Sequence, residues 1–305
     1  EDYGWSPGTY CQKVYQGYTT KVTKDVVIST WQSIYKMPKK YFEQFGCVIG
    51  DEAHFFKAKS LTGIMTKMHN TKYRFGLTGT LDGTETHRLV LEGLFGTAKK
   101  IISTKELMDN STLAKLKIKC ILLKHKNIRG RMTYAQEIDY IVQKEGRLDF
   151  VIDLLRHLNG NTLCLFQLVE KHGKVLYERL KDDEKVFFVY GGTETEKREA
   201  IREIVDGSKH STTLASFGTF STGINIRNIN NIVLASPSKS KIRVLQSIGR
   251  GLRTSSTKDS VLVYDIADDL TYNDMQNFTL THFAERLNIY NEEQFDYEIS
   301  KVRLK

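Results

Sequence analysis

No stretch of this 305-residue sequence stays apolar long enough to cross a bilayer as a helix, prolines number only 3, and the 4 cysteines never form a Cys-x-x-Cys pair. The first absence excludes a transmembrane helix and leaves no membrane partner expected. The second, beside 40 % hydrophobic residues, excludes a proline-rich disordered chain and favours globular folding. Cys11, Cys47, Cys120 and Cys164 lie far apart, three of them in or beside apolar stretches. That placement argues against zinc ligation or a disulfide framework and for reduced thiols in a cytoplasmic protein. His87, His125 and His210 have no second ligand at metal spacing and are expected as ordinary surface histidines. Repeats and low-complexity tracts are absent as well. The N-terminus, Glu1-Asp2-Tyr3-Gly4-Trp5, has neither a signal peptide nor an initiator methionine, so a processed or truncated product is expected.

What is present is basic charge: 45 Lys+Arg against 36 Asp+Glu gives +9, which favours a polyanionic partner such as nucleic acid. The length suffices for two domains. Apolar runs of strand length, at 26–28, 46–49, 73–77, 162–166, 186–189, 212–215, 231–235 and 260–264, alternate with amphipathic stretches of helix length. This is the pattern of parallel sheets covered by helices, an α/β fold. The spacing predicts a crossover helix over 169–180, and Thr193 with Glu196 predicts a capping box ahead of a helix over 197–205. The polar stretch 103–119 places a domain boundary near Ser111, giving domains 1–110 and 111–305. The tyrosine-rich, charged segment 271–305 is expected as a terminal helix pair on the second domain.

Residues 47–54 read CVIGDEAH. Ionised carboxylates are costly to bury and neighbouring strand residues face opposite ways, so a pair at the exit of a buried strand fits a plain core poorly. Hydrolysis of a nucleoside triphosphate at a strand end needs one carboxylate for a magnesium ion and one to orient the attacking water. Asp51 and Glu52 supply both groups, the alternative being a solvated loop. Downstream, GLTGT at 76–80 ends another apolar strand in small hydroxyl residues, which on its own reads as a turn. QSIGRGLR at 246–253 sets Arg250 and Arg253 three apart, on one helix face, where guanidinium groups can reach phosphate oxygens or remain solvated. Trp31 reads either as a base-stacking side chain or, more often at a strand exit, as core. The basic run KHKNIRGR at 124–131 either tracks a nucleic-acid backbone or forms a solvated loop.

In this order, on strand ends of two successive α/β units, CVIGDEAH, GLTGT and QSIGRGLR resemble motifs II, III and VI of the superfamily 2 helicases. VVISTWQS at 26–33 is similar to motif Ib, LCLFQLVEKHGKVL at 163–176 to motif IV, VYGGTETEKRE at 189–199 to the following strand and loop, and ASFGTFSTGINI at 215–226 to motif V. The resemblance therefore spans nearly the whole chain. STWQSI, YRFGLTGT and VLQSIGRGLR look most like the phage UvsW-type recombination and repair helicases, DEAH-motif enzymes whose ATPase is DNA-stimulated. The fold this implies is two RecA-like domains with parallel sheets flanked by helices, the first N-terminally truncated. The implied cofactors are ATP and Mg2+.

Carried over residue by residue, the resemblance makes Asp51 the water-mediated magnesium partner and Glu52 the catalytic base. His54 would couple the cleft to Gln246. Thr78 and Thr80 would relay nucleotide state, Arg250 and Arg253 would contact the phosphates, and Gly223 and Asn225 would sit on the nucleotide side. Thr30, Gly191, Gly192 and Ser216 would hold nucleic-acid phosphates through hydroxyl and backbone N–H groups, positioning a strand without reading its sequence. One departure stands out. The family carries Gly-x-x-x-x-Gly-Lys-Ser/Thr, which cradles the triphosphate, and the sequence has none. The nearest string, LVEKHGKV, has Leu168 in place of the first glycine and Val175 in place of the hydroxyl residue, and lies in the second domain. Motifs I and Ia are thus expected before Glu1, in an upstream segment or another polypeptide.

The function so implied is ATP-driven translocation on DNA, branched or single-stranded: forks, Holliday junctions and RNA–DNA loops. Two alternatives stay open. One is a nucleic-acid-binding fragment without an ATPase of its own; the other is an RNA helicase or restriction-type translocase of the same superfamily.

Overall fold

A computed structural model describes residues 4, 6–15, 17–79, 85–126, 128, 130–219, 226, 228–237, 240–252 and 260–304, with the backbone alone at 241–243, 246 and 250. The chain divides into two compact units between Lys99 and Lys100. Ser111 therefore lies inside the second unit. The polar stretch that suggested a boundary there is ordered: Ser103 and Glu106 form a reciprocal capping box that starts a helix, and a strand begins at Lys115.

In the first unit, strand β1 (Cys11–Val14) pairs in parallel with β2 (Val26–Ser29), and β3 (Cys47–Gly50) pairs in parallel with β4 (Tyr73–Gly76). Helices α1 (Lys59–Lys67) and α2 (Glu85–Phe95) contribute Leu61, Ile64, Met65 and Leu91 to a core shared with Phe42 and Phe56. Because side chains alternate along a strand, β3 and β4 present Ile49, Tyr73 and Phe75 on the side away from Val48, and these three are 63 %, 53 % and 53 % exposed. Trp31 is not core. It is 39 % exposed, on the short helical turn after β2, and packs edge-on against Tyr35 at 5.6 Å.

The second unit holds a seven-stranded parallel sheet in the order β11-β5-β10-β9-β6-β8-β7. Along the chain these are α3 (Thr104–Asp109), β5 (Lys115–Lys124), α4 (Tyr134–Gln143), α5 (Glu145–His157), β6 (Asn161–Phe166), α6 (Lys174–Leu180), β7 (Val186–Val189), α7 (Thr195–Asp206), β8 (Ser211–Ser216), β9 (Asn231–Leu234), α8 (Lys241–Gly251), β10 (Ser260–Asp269), α9 (Phe278–Glu292) and β11 (Tyr297–Arg303). Every residue of the central strands β6, β8 and β9 is buried, as expected of parallel strands covered on both faces. One apolar layer gathers Leu163, Leu165, Ile232 and Val263, the other Cys164, Phe166, Val233 and Ile266. Adjacent residues thus serve opposite layers.

Three expectations fail for physical reasons. Residues 271–305 form one helix and an edge strand, not a helix pair; Tyr297–Arg303 pairs with Ile118–Lys124, completing the hydrogen bonds of β5. Thr193 does not cap α7, because its hydroxyl already accepts the Tyr190 N–H at 3.1 Å, and Glu194 occupies the cap position without a side-chain bond. His125 is not a surface residue: it is 7 % exposed, and its Nε2 lies 2.8 Å from Asp268 Oδ1.

That histidine belongs to a buried charge cluster binding several elements together. Arg147, at the start of α5, donates from Nε to Asp268 Oδ1 at 2.8 Å and from Nη2 to the Ala235 carbonyl at 2.8 Å. Both side chains are fully buried. Burial alone would push the Asp268 carboxyl up, but Arg147 and His125 outweigh it and hold it below the ordinary carboxylate range. Close by, His172 shares a hydrogen bond with Ser236 Oγ at 2.9 Å, and burial together with the Arg147 charge brings its pKa down to about 3, so the ring is neutral.

Candidate functional site

The carboxylate pair sits where β3 ends. Gly50 is the last residue of the strand, Asp51 is exposed on the following turn, and Glu52 has φ 49° and ψ 52°, a left-handed conformation unusual for a residue with a side chain. Asp51 Oδ1 accepts the Glu52 N–H at 2.9 Å, which stabilises this turn. His54, 4 % exposed, brings Nδ1 to 3.3 Å from Glu52 Oε2 and 2.9 Å from Thr78 Oγ1.

Backbone bonds fix the same junction. Leu77 N–H donates to the Gly50 carbonyl and Ala53 N–H to the Leu77 carbonyl, both at 2.8 Å, so the segments after β3 and β4 form one assembly. Its packing explains two glycines of the motifs. A Cβ at Gly50 would meet the Phe56 ring at 2.8 Å and Phe95 at 3.0 Å, and one at Gly76 would meet Phe95 at 2.9 Å. The rings of Phe56 and Phe95, centroids 5.1 Å apart, fill the space that side chains there would need. Asp51, Glu52, His54 and Thr78 thus come together at one junction. Thr30 stands at the end of β2, in the other strand pair, exposed and with its hydroxyl 3.0 Å from Ser33 Oγ.

In the second unit the sheet order brings Gly191, Gly192 and Ser216 to one edge. Phe166 pairs with Ser216 and Val189 with Ala215, so the loops leaving β6, β8 and β7 are neighbours at the carboxyl ends of parallel strands, where open α/β sheets bind ligands. Gly191 and Gly192 are exposed in a turn closed by the Thr193 N–H donating to the Tyr190 carbonyl at 2.9 Å. Ser216 is buried, its Oγ 2.7 Å from Thr219 Oγ1.

Sequence reading missed three residues that hold these loops. Thr193 and Arg198 shape the Gly-Gly turn, the arginine donating from Nη2 to the Gly191 carbonyl at 3.0 Å, and Thr219 anchors Ser216. A hydroxyl three residues from Ser216 and an arginine one to two helical turns beyond Gly191 were the available signals. Thr80, Gly223, Asn225 and Arg253 lie outside the described residues. Gln246 and Arg250 fall on α8, whose backbone is described while their side chains are not. The expected coupling of His54 to Gln246 therefore lies outside the described side chains, and Glu52 and Thr78 of its own unit are among the contacts of His54.

Paired strand-end carboxylates thus stand in one unit, and strand-end hydroxyl and glycine loops in the other. The chain belongs to the superfamily 2 helicases. Residues 146–255 match the helicase conserved C-terminal domain, and residues 5–83 match the type III restriction enzyme res subunit. Among curated proteins it is similar to the ATP-dependent DNA helicase UvsW of Enterobacteria phage T4, 33 % identical over 298 residues that cover 92 % of this chain and 59 % of UvsW. The crystal structure of T4 UvsW superposes with a TM-score of 0.54 at 31 % identity, covering 99 % of this chain and 63 % of that one. The chain thus spans about three fifths of its relative's length. Dbp5 of S. cerevisiae, solved with RNA and ADP BeF3, shares the fold alone: TM-score 0.60, 14 % identity, 97 % of this chain and 70 % of that one.

Proposed function

We propose that the chain is the motor portion of an ATP-dependent DNA translocase that remodels branched DNA, such as forks, Holliday junctions and RNA–DNA loops, in recombination and repair within the cytoplasm of a host cell. The observation that carries this reading is the junction of Asp51, Glu52, His54 and Thr78 at the ends of β3 and β4. A Mg2+ ion in a nucleotide site needs only one or two carboxylates, the rest of its shell coming from phosphates and water. Exposed Asp51 fits that role, and among the described residues no group of three or more His, Cys, Asp or Glu offers a protein cage instead. When bound, the ion supplies neutralisation of the phosphate charge.

Glu52 acts as the base that orients the attacking water, its carboxylate 43 % exposed and steadied by the buried imidazole of His54. Through Thr78, His54 ties the position of that carboxylate to the segment after β4. Arg250 and Arg253 of the second unit stabilise the charge that develops on the transferred phosphoryl group. Gly191, Gly192, Ser216 and Thr30 hold DNA phosphates, and changes in the nucleotide site drive the movement of the strand. UvsW, named as a DNA helicase, supports the choice of DNA over RNA.

One observation favours a second reading, a nucleic-acid-binding fragment that hydrolyses ATP only when another segment supplies the phosphate cradle: Gly-x-x-x-x-Gly-Lys-Ser/Thr is absent from the sequence. ATP turnover by this chain, with and without forked DNA, is to be measured beside a form extended upstream. Turnover confined to the extended form selects the second reading for the isolated chain. In whichever form turns over, Glu52→Gln is expected to lower the rate about 10²- to 10⁴-fold with DNA binding retained. Unchanged turnover in that variant refutes the assignment.

A further inference from the structure

The same carboxyl edge of the seven-stranded sheet carries, beyond β9, a shallow open recess lined by Arg131, Met132, Tyr272, Met275 and Phe278. Its wall is built rigidly. Asn273 and Asp274 both have positive φ, 46° and 61°, and Tyr272 and Met275 exchange N–H to carbonyl bonds of 3.1 and 3.0 Å. This is the two-residue hairpin turn that takes left-handed residues at both central positions, and it sets the Tyr272 and Met275 side chains beside one another.

The opposite wall is equally fixed. Glu137 of α4, 1 % exposed, accepts the backbone N–H groups of Phe278 and Thr279 at 2.9 and 2.6 Å and the Asn277 amide at 2.7 Å. A carboxylate from a neighbouring helix therefore caps α9 and locks Phe278 in place. Phe278 is nevertheless 40 % exposed, as are Tyr134 at 41 % and Met275 at 46 %, and the Tyr134 and Phe278 rings meet edge to face at 6.2 Å. Large apolar side chains held rigid yet uncovered mark a surface built to be covered.

Charge selects the occupant. Residues 124–131 carry four basic side chains and no acidic one, and of these Lys124, Lys126 and Arg131 are exposed beside the ends of β5 and β10. Glu137 also lines the recess, but its buried carboxylate is taken up by the Asn277, Phe278 and Thr279 donors. A basic rim attracts phosphate, and the exposed aromatic side chains beside it accept a flat uncharged ring. We propose that this recess is a stacking site for a base of single-stranded nucleic acid, with Arg131 on the adjoining phosphate. It extends the path over the loops of β7, β8 and β6 across the same sheet edge. The site deepens the function proposed above and rests on that reading. Because stacking is indifferent to sequence and to the 2′-hydroxyl, DNA and RNA strands of the same sequence are both expected to use it.

The test uses the whole chain with single-stranded DNA and RNA oligonucleotides bearing 5-iodouracil, cross-linked by light and mapped by mass spectrometry. Cross-links at Tyr272 or Phe278 are expected. Phe278→Ala leaves the backbone bond to Glu137 in place and is expected to weaken binding roughly five- to a hundredfold. Arg131→Gln is expected to flatten the dependence of log affinity on log salt by about 0.7. Thermal melting confirms that the variants fold. Oligonucleotide binding with cross-links only elsewhere and no effect of either substitution overturns the recess and leaves the motor reading intact; that result would mark the patch as a protein contact. No binding by the unaltered chain overturns both.

Discussion

Asp268→Asn tests whether burial, not distance, decides what an ion pair contributes to the second unit. Asp268 and Lys171 are convenient because each takes part in a pair at 2.8 Å: Asp268 with Arg147, both fully buried, and Lys171 with Asp139, 55 % and 47 % exposed. In Asp268→Asn the shape is kept but the guanidinium of Arg147 stays in the interior without its counter-charge, which costs about 3–5 kcal/mol. For a unit of this size, residues 100–305, each kcal/mol moves the melting temperature by roughly 2–4 °C, so a fall of about 6–20 °C is expected. Lys171→Ala breaks an exposed pair worth at most about 1 kcal/mol and is expected to move it by less than about 4 °C. Far-UV circular dichroism follows both units, whereas the two tryptophans, Trp5 and Trp31, both lie in the first. The Asp268→Asn transition should therefore shift in dichroism with little change in tryptophan fluorescence. Replacing Arg147 and Asp268 together by Met and Leu is expected to recover most of the loss. Equal, small shifts for Asp268→Asn and Lys171→Ala would refute the reasoning.

Two further outcomes follow from the geometry. His172 is held neutral, its folded pKa near 3 against an ordinary 6.5, so in that interval the unfolded chain binds a proton that the folded chain does not. Stability is then full above about pH 6.5 and declines on acidification by up to about 1.4 kcal/mol per pH unit; urea titrations across that range should show a shallower slope in His172→Gln. Gly50→Ala would bring a methyl group to 2.8 Å from Phe56 and is expected to destabilise the first unit by about 1–3 kcal/mol, read by tryptophan fluorescence. Gly46→Ala, with no atom within 4 Å of the added carbon, is the matched control and should shift it far less.

All eight apolar runs read from the sequence are strands, whether covered on both faces, as β6, β8 and β9 are, or half-exposed, as β3 and β4 are. The strands that escaped notice carry their signal differently. In β5 (KLKIKCILLK) lysines alternate with Leu116, Ile118 and Cys120, so a period of two hides inside a charged segment. In β11 the edge position leaves Glu298 to Lys301 exposed, and an apolar pattern has no reason to exist. The site divides in the same manner. Asp51, Glu52 and His54 were readable because one turn carries all three, and Thr78 because a short string marks it. The Arg147, Asp268 and His125 cluster was not, since its members come from segments 121 and 143 residues apart that only the sheet order brings together. Thr193 shows the converse: a sequence that spells a helix start gives its hydroxyl to the preceding turn, while Thr133 with Gln136 forms the real reciprocal cap on α4.

The place of β5 in the sheet has a consequence for the ribosome. It opens the second unit's sheet, yet both its partners are made last: Lys115 pairs with Ser260 and Ile118 with Tyr297, and the bond from Ser300 Oγ to the Cys120 carbonyl joins residues 180 positions apart. At roughly 5–20 residues per second, a nascent β5 waits on the order of 7–30 s with both edges unpaired. The lysines at 115, 117, 119 and 124 then serve a second purpose, keeping a strand with buried-type residues Ile118, Ile121 and Leu123 soluble and repelled from its copies on neighbouring polysomes until its partners emerge.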